Sequence, residues 1–346
     1  MALLSGGQSE FFGLDIGSTA IRAVQLHGSG NVKTLSKHGQ QEIEAKRLAS
    51  DSTLDKQHVV QMIRELMGQG GFTSQNVAIN LPSSKVFTAI IDMDNLPKDE
   101  LAKTMQFQAE SFIPTPIAKS KMDWAVIGTS PKDAKKVEVL ITSAPSDFIE
   151  DRVAMVESAG LNVVAVEPDS MAIARALVAS DTVTPQLVMD IGNVSTDLVI
   201  VMNGIPHLTR AIPSGVTAIT RAVMNNLGVD VEQASQFVSK FGLGKDKLEG
   251  KIYASIQNTI EALMTDVEKS INFFNERYSG TKIDRMTVTG AAASIPELPV
   301  YMANRFGLNV EIGNSWRNVN VPSSQQNELA AISNHFAVAV GLAERN

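Results

Sequence analysis

The chain has 346 residues, of which 44% are hydrophobic, and it carries a formal net charge of −7 with no cysteine. The missing cysteines exclude disulfides, thiolate zinc sites and a cysteine nucleophile, and the acidic balance argues against a nucleic-acid-binding surface. No apolar run approaches the roughly 18 residues that a membrane-spanning helix needs. The length predicts about two or three domains.

The first predicted element is a hairpin at residues 12–26, in which two apolar strands flank a tight turn of small residues. The exposed N–H groups and hydroxyls of such a turn can bind a phosphate, and an aspartate at the strand end can hold Mg²⁺ through water. A glycine that merely permits the turn is the alternative interpretation. Arg22 either approaches the phosphate or is solvated. The candidate phosphate ligands are Asp15, Gly17, Ser18, Thr19 and Arg22.

A stretch of different character follows at residues 84–165. Its order of elements is predicted as β-α-β-β-α-β, which suggests one compact insert. The predicted helix at residues 97–112 ends before Pro114 and Pro116, which stop it and leave backbone groups free. Phe107 and Phe112 near this end either fill the core of the insert or contribute to a groove.

A second hairpin at residues 187–201 repeats the Asp-Ile-Gly turn of the first between strands of matching character. Two matching copies favour a phosphate clamp and suggest an internal duplication. Further along, a long helix is predicted at residues 248–278 and a closing helix at 325–342. The candidate ligands of the second half are Asp190, Gly192, Asn193, Ser195, Thr196 and Gly215.

The order of these pieces resembles the actin-like ATPase superfamily, with phosphate motifs at residues 15–22 and 190–196 and an adenosine turn at 289–294. Within it, the chain over roughly residues 11–345 is similar to the PilM family of type IV pilus assembly proteins, relatives of FtsA. The segments that carry this narrower resemblance are Phe107-Gln108-Ala109-Glu110-Ser111-Phe112-Ile113-Pro114, Val139-Leu140-Ile141-Thr142-Ser143-Ala144-Pro145, Ala159-Gly160-Leu161, Ile312-Gly313-Asn314-Ser315-Trp316 and Phe336-Ala337-Val338-Ala339-Val340-Gly341-Leu342.

The resemblance implies an α/β, two-domain actin-like ATPase fold made of duplicated RNase H-like halves with an FtsA-like inserted subdomain. The first core subdomain would comprise residues 11–83, 166–186 and 325–346. The inserted subdomain would comprise residues 84–165. The second half, with a helical subdomain, would comprise residues 187–324.

The resemblance also implies ATP or ADP with Mg²⁺ as cofactors, with Gly290 and Ala291 added to the nucleotide-binding residues. Asp15 and Asp190 would hold Mg²⁺ through water, and Asp190 is the candidate catalytic residue of what is at most a weak ATPase. Two departures from the superfamily weaken the adenosine side. Ala291 stands where a second glycine is usual, and Val238 stands where a lysine usually faces the nucleotide.

The partner that the resemblance implies is the N-terminal cytoplasmic tail of PilN, in a groove between the first core subdomain and the insert. The candidate groove residues are Phe107, Glu110, Phe112 and Ile113, although for Glu110 alone local capping or pairing is the favoured interpretation. The family places the protein in the cytoplasm, peripheral to the bacterial inner membrane and attached only through partners. Other pilus proteins and self-association are further partners, and twitching motility is the process served.

Two alternatives stand beside this scaffold. One is a small-molecule kinase of the same superfamily, which needs a catalytic aspartate in a substrate pocket. The other is an FtsA-like filament-forming ATPase, which ends in an amphipathic membrane helix. The chain stops a few residues after Gly341, so we expect no such tether here.

Overall fold

The computed structural model describes residues 10–28, 30, 32–48, 50 and 52–345. The strands are β1 (Phe11–Ile16), β2 (Ala20–His27), β3 (Lys33–Glu42), β4 (Asn76–Leu81), β5 (Phe87–Asp94), β6 (Ser120–Thr129), β7 (Lys136–Pro145), β8 (Asn162–Pro168), β9 (Gln186–Ile191), β10 (Thr196–Met202), β11 (Ile205–Ile212), β12 (Arg285–Thr289), β13 (Asn309–Ile312) and β14 (Val319–Asn320). The helices are α1 (Ala45–Leu48), α2 (Thr53–Gly70), α3 (Lys98–Phe112), α4 (Ser146–Ser158), α5 (Asp169–Leu177), α6 (Val216–Leu227), α7 (Val231–Phe241), α8 (Lys251–Arg277), α9 (Leu298–Phe306), α10 (Gln326–Ile332) and α11 (Ala337–Ala343).

The chain divides into two units. The first comprises the described parts of residues 1–172, 318–323 and 338–346. Its main sheet has the strand order β14-β3-β2-β1-β4-β8, with β1 antiparallel to β2 and parallel to β4. Apolar side chains of β1, β2 and β4 pack with those of α2 and α4 in one core that includes Phe12, Ile63 and Val156. This sheet fixes the turn between β1 and β2.

The insert is a separate three-stranded antiparallel sheet in the same unit, with the order β5-β7-β6. Helix α3 covers one face of it, and the buried residues of its core run from Ile91 to Ile141, with Phe87 of β5 partly buried against them.

The structure differs here from the prediction of one insert at residues 84–165. Strand β8 pairs in parallel with β4 of the main sheet, and Val156 of α4 lies in the main core. Periodicity identified both elements correctly as strand and helix, but it carries no information about which sheet a strand joins.

The second unit comprises residues 173–317 and 324–337. Its five-stranded sheet has the order β11-β10-β9-β12-β13, with β9 antiparallel to β10 and parallel to β12. The long helix α8 buries a stripe of side chains against α6 and this sheet, so this stripe is part of the core. The members of that stripe are Ile252, Ile256, Ile260, Leu263, Val267 and Phe274.

The closing helix predicted at residues 325–342 is wrong in one respect, because α10 and α11 are separated by a turn at Ser333–His335. The carbonyl of Asn334 accepts hydrogen bonds from the Gly290 amide at 2.7 Å and the Thr289 hydroxyl at 2.9 Å. These tertiary bonds replace the helical partner of that carbonyl. The side chains of Ser333 and Asn334 also bond to distant partners, the Asn314 side chain and the Gly290 carbonyl, and such competing bonds are why serine and asparagine are unfavourable in helix interiors.

Helix α11 is buried almost all round and lies against β1. A β-carbon on Gly341 would lie 1.9 Å from the carbonyl oxygen of Ala172, which is main chain and cannot move aside. We therefore expect Gly341→Ala to lower the free energy of unfolding by about 3 kcal/mol, the upper end for overpacking. Thermal and chemical denaturation measure this.

Gly68→Ala in α2 is the matched control, since a β-carbon there meets nothing within 4 Å. It should raise stability by up to about 1 kcal/mol because alanine is the better helix former. Equal effects of the two substitutions would contradict the packing argument. Among the described residues, no helix is long and apolar enough to span a membrane.

Candidate functional site: two Asp-Ile-Gly turns

The first turn closes with one hydrogen bond, from the Gly17 amide to the carbonyl of Ala20 at 3.0 Å. Asp15 and Arg22 stand directly opposite each other on β1 and β2. Their side chains approach to 3.9 Å between Asp15 Oδ2 and Arg22 Nη1. Arg22 therefore faces the aspartate beside the turn rather than open solvent.

A buried polar cluster lies behind this turn. The side-chain carbonyl of Asn80 accepts from the Ile16 amide at 2.9 Å, and its amide nitrogen donates to Asp15 at 3.0 Å and to Asp169 at 2.8 Å. Arg152 of α4 donates to the Ile16 carbonyl at 2.6 Å and to the backbone and side chain of Asn80, each at 2.9 Å. Thus Asn80 and Arg152 hold both backbone groups of the residue before the turn.

Burial dominates the electrostatics of Asp15, whose exposed fraction is 6%. Desolvation raises the pKa of this carboxyl, and the nearby cations Arg22 and Arg152 oppose the rise. Burial also lowers the pKa of Arg152, against the attraction of Asp169 and Asp15. The carboxylate of Asp15 is thus engaged by the protein itself.

The second turn repeats the first closely. The Gly192 amide donates to the carbonyl of Ser195 at 2.9 Å, which is the same closure across four residues. Asp190 stands opposite Asp197, at the register positions that Asp15 and Arg22 occupy in the first hairpin. The two turns are therefore equivalent parts of an internal repeat.

The start of α6 packs directly on the second turn. The Val216 and Thr217 amides donate to the carbonyls of Gly192 at 3.0 Å and Asn193 at 2.9 Å. A β-carbon on Gly215 would lie 2.4 Å from the Gly192 carbonyl oxygen, so only glycine allows this approach. The Thr196 hydroxyl donates to the Ser214 carbonyl at 2.7 Å, which fixes the other side of the turn.

Gly290 closes the site beside Asp190. Its φ is +83°, and a β-carbon there would lie 2.1 Å from Asp190 Oδ1. The Asn334 side chain donates to the Gly290 carbonyl at 2.9 Å, while the Asn334 carbonyl accepts from the Gly290 amide at 2.7 Å. Gly290 therefore keeps a clear space for the aspartate.

The Ile-Gly-Asn-x-Trp segment supports this arrangement from behind. Ser315 donates through its hydroxyl to the Ser333 carbonyl at 2.6 Å, and its amide donates to the Ser333 hydroxyl at 2.8 Å. Ser333 in turn donates to Asn314 at 3.0 Å, and Trp316 donates to the Leu329 carbonyl at 2.8 Å. The segment thus fixes the turn that carries Asn334.

The turns fit phosphate oxygens. The amides of Ser18 and Val194 donate to no acceptor in the part of the chain that the structure describes, and both residues are exposed. Outward N–H groups of this kind bind anions.

Asp190 also fits a water-mediated magnesium ligand, because it is more exposed than Asp15 and ends its strand beside the turn. Within the described ranges, no group of three or more histidine, aspartate or glutamate side chains is arranged to hold a metal ion.

On the predicted adenosine side, Ala291 follows Gly290 and is half-buried, whereas Ala292 and Ala293 are buried in the core. The expectation for position 238 is wrong. Val238 is 2% exposed and packs in the core of the second unit, so a lysine there would be buried rather than facing a ligand. Lys240, two residues on, lies over the Phe241 ring at 5.5 Å.

In the insert, the four predicted groove residues separate into two groups. Phe107 is 84% exposed and Phe112 is 44% exposed, and Glu110 is exposed beside them. Ile113 is 6% exposed and belongs to the core of the insert. The two phenylalanines therefore do not fill that core, and Ile113 anchors the end of α3.

Four residues of these sites were not predicted from the sequence, namely Asn80, Arg152, Asp169 and Asn334. A signal for two of them was present. Asn80 interrupts the apolar run of β4, and Arg152 shares the buried face of α4 with Val156, four residues later. A polar residue at a position that periodicity assigns to the core deserves a search for its partner.

The family model described as type IV pilus assembly protein PilM matches residues 13–346. The chain belongs to the PilM family. As a PilM-family protein it is a type IV pilus assembly protein, and the predicted family is confirmed.

Solved structures agree on the fold. A chain of a PilM–PilN type IV pilus biogenesis complex is 24% identical, with 97% of this chain and 98% of that chain covered and a TM-score of 0.81. Ethanolamine utilization protein EutJ from Carboxydothermus hydrogenoformans is 16% identical, with 99% and 91% covered and a TM-score of 0.56. MreB 5 of Spiroplasma citri bound to AMPPNP is 13% identical, with 97% and 95% covered and a TM-score of 0.54. This PilM-family chain therefore has the predicted actin-like ATPase fold.

Proposed function

We propose that the protein is a nucleotide-binding scaffold of the type IV pilus inner-membrane assembly complex and binds the N-terminal cytoplasmic tail of PilN. The observation that carries this is membership of the PilM family, together with a TM-score of 0.81 to a chain of a PilM–PilN complex. The match over residues 13–346 favours neither the kinase nor the filament-forming alternative. In this role the protein is cytoplasmic, reaches the membrane through partners and serves twitching motility.

The nucleotide is ATP or ADP, and the turn at Gly17 and the turn at Gly192 are each a candidate binding site for its phosphates. The equivalent closure of both turns supports this, as does the AMPPNP bound by MreB 5 of the same fold. Mg²⁺ would be held through water on the side of Asp190, with Asp15 mainly organising the first turn. Asp190 remains the candidate for orienting water in any slow hydrolysis.

The peptide tail binds in the first unit, where the insert meets the core subdomain. The exposed Phe107 and Phe112 at the end of α3 support this position, since unpartnered aromatic side chains are typical anchors for a binding partner. Strand β6 is an edge of the insert sheet and offers backbone groups to an extended segment. Other pilus proteins and further copies of the chain are candidates for surfaces elsewhere.

The double substitution Phe107→Ala with Phe112→Ala should weaken binding of the tail peptide by at least tenfold, which corresponds to about 1.4 kcal/mol of binding free energy. The reason is the loss of two apolar anchors that contribute nothing to the insert core. Calorimetric titration with a synthetic peptide of the PilN N-terminal tail measures the dissociation constant.

Phe273→Ala is the matched control, because Phe273 is 63% exposed on α8 in the other unit. It should leave the peptide affinity unchanged. A double variant that binds the peptide as tightly as the wild type would place the groove elsewhere. A wild-type protein that does not bind the peptide would overturn the proposed partner.

A further inference from the structure

Helix α4 contacts three different parts of the first unit through three consecutive residues. Glu150 pairs with Lys121 of β6 in the insert at 3.1 Å, and Asp151 pairs with Lys56 of α2 at 2.9 Å. Arg152 points inward and donates to the Ile16 carbonyl and to Asn80. One helix therefore touches the insert, the core and the backbone of the phosphate-type turn.

Arg152 differs from its two neighbours in burial. Its exposed fraction is 8%, whereas the side chains of Glu150 and Asp151 are 65% and 67% exposed. Exposed ion pairs contribute little, but a buried guanidinium that loses its acceptors is costly. A shift of the turn must therefore either move Arg152 with it or cost this buried guanidinium its hydrogen bond to the Ile16 carbonyl.

The connection from α4 to the insert is equally direct. Strand β7, the middle strand of the insert sheet, ends at Pro145, and α4 begins at Ser146. Ala144, next to this junction, pairs with Lys121 of β6. With no intervening loop, a displacement of α4 reaches the insert sheet through the chain itself.

We propose that Arg152 is a positioning residue that couples the first phosphate-type turn to the insert. Nucleotide at the turn and peptide at the insert then change each other's affinity through α4. This rests on the proposed function. Coupling between two binding sites is reciprocal. The peptide must therefore change the affinity for nucleotide by the same factor, and in the same direction, as nucleotide changes the affinity for the peptide.

The test is a thermodynamic cycle on the full chain. The dissociation constant of the PilN tail peptide is measured with and without Mg-AMPPNP, for the wild type and for Arg152→Lys. We expect a ratio of at least about fivefold in the wild type, the lower end of typical coupling. In Arg152→Lys the ratio should fall to within twofold of one, because lysine lacks the planar fork that bonds Ile16 and Asn80 together.

Arg64→Lys is the matched control, since Arg64 also donates to a backbone carbonyl of α4, that of Ser158, but does not touch the turn. It should keep the wild-type ratio. If Arg152 had a merely structural role, Arg152→Lys would change the peptide dissociation constant equally with and without Mg-AMPPNP. The ratio of the two constants would then stay at its wild-type value, and that result overturns the proposal. A wild-type ratio of one, with both ligands bound, overturns it too while leaving the proposed function standing. Wild-type protein that binds neither ligand refutes both.

Hydrogen exchange on the unmodified protein decides the question if Arg152→Lys does not fold. Mg-AMPPNP should change amide exchange in Ser146–Ser158 and Lys136–Pro145 more than in Thr53–Gly70, which packs in the same core without touching the turn. An effect that stops at the turn, or one equal in all three segments, overturns the coupling.

Discussion

Replacing Gly290 by alanine should weaken Mg-ATP binding at least tenfold. A β-carbon there would lie 2.1 Å from Asp190 Oδ1 and 2.7 Å from the Ile191 carbonyl oxygen, far inside contact distance. The main chain of Gly290 is held by Asn334 on both sides, so the aspartate has to move. Asp190→Ala removes the same carboxylate and should have a similar effect, because Mg²⁺ depends on oxygen ligands.

Titration with a fluorescent ATP analogue measures both variants. Gly307→Ala provides the control in the same unit, since Gly307 has a φ of +67° and a β-carbon there meets nothing within 4 Å. Its left-handed helical backbone costs an alanine about 1–2 kcal/mol, so this variant tests the effect of a positive φ without crowding any ligand. Folded Gly290→Ala or Asp190→Ala protein with wild-type affinity for Mg-ATP would refute the assignment of this site.

Removing the insert should abolish binding of the PilN tail and leave nucleotide binding measurable, provided the boundaries follow the observed sheets. The deletion of residues 87–144, closed by a short glycine-serine linker, removes only the sheet β5-β7-β6 and α3. No residue of that range belongs to the main core of the first unit. The truncated protein should therefore fold.

A deletion of residues 84–165 should instead fail to fold. It removes Val156 from the main core together with five side chains packed on it, namely Val153, Met155, Ala159, Leu161 and Val163. It also removes Arg152, the buried cation that interacts with both Asp169 and Asp15. Circular dichroism and thermal unfolding compare the two deletions. If the protein lacking residues 87–144 folds and still binds the PilN tail as tightly as the wild type, the proposed groove is wrong.

Both turns could be predicted from the sequence because their information is local. Alternating apolar residues specify the strands, and Asp-Ile-Gly followed by small polar residues specifies the closure that Gly17 and Gly192 make. The equivalent register of Asp15 and Asp190 followed from the same repetition.

What escaped prediction depends on contacts between distant segments. Arg152 and Ile16 are 136 positions apart, and Gly290 and Asn334 are 44 apart. Val238 shows the converse error, since an alignment by motif placed it at the ligand whereas helix packing turns it into the core. Local patterns identify elements, but the partners of a buried polar residue come from topology.

The discontinuity of the first unit sets an order for its completion during translation. Strand β1 is made long before α11, the helix that covers it, and the two pack so closely that a β-carbon on Gly13 would lie 2.3 Å from the carbonyl oxygen of Ala339. Strand β14, which pairs with β3, is also made late. During translation one face of the first unit's sheet therefore stays uncovered until α11 has been made. The apolar surface exposed in this state favours aggregation and makes the nascent chain a substrate for chaperones. The second unit needs only residues 173–317 and 324–337, so its sheet can close while the first still lacks its last helix.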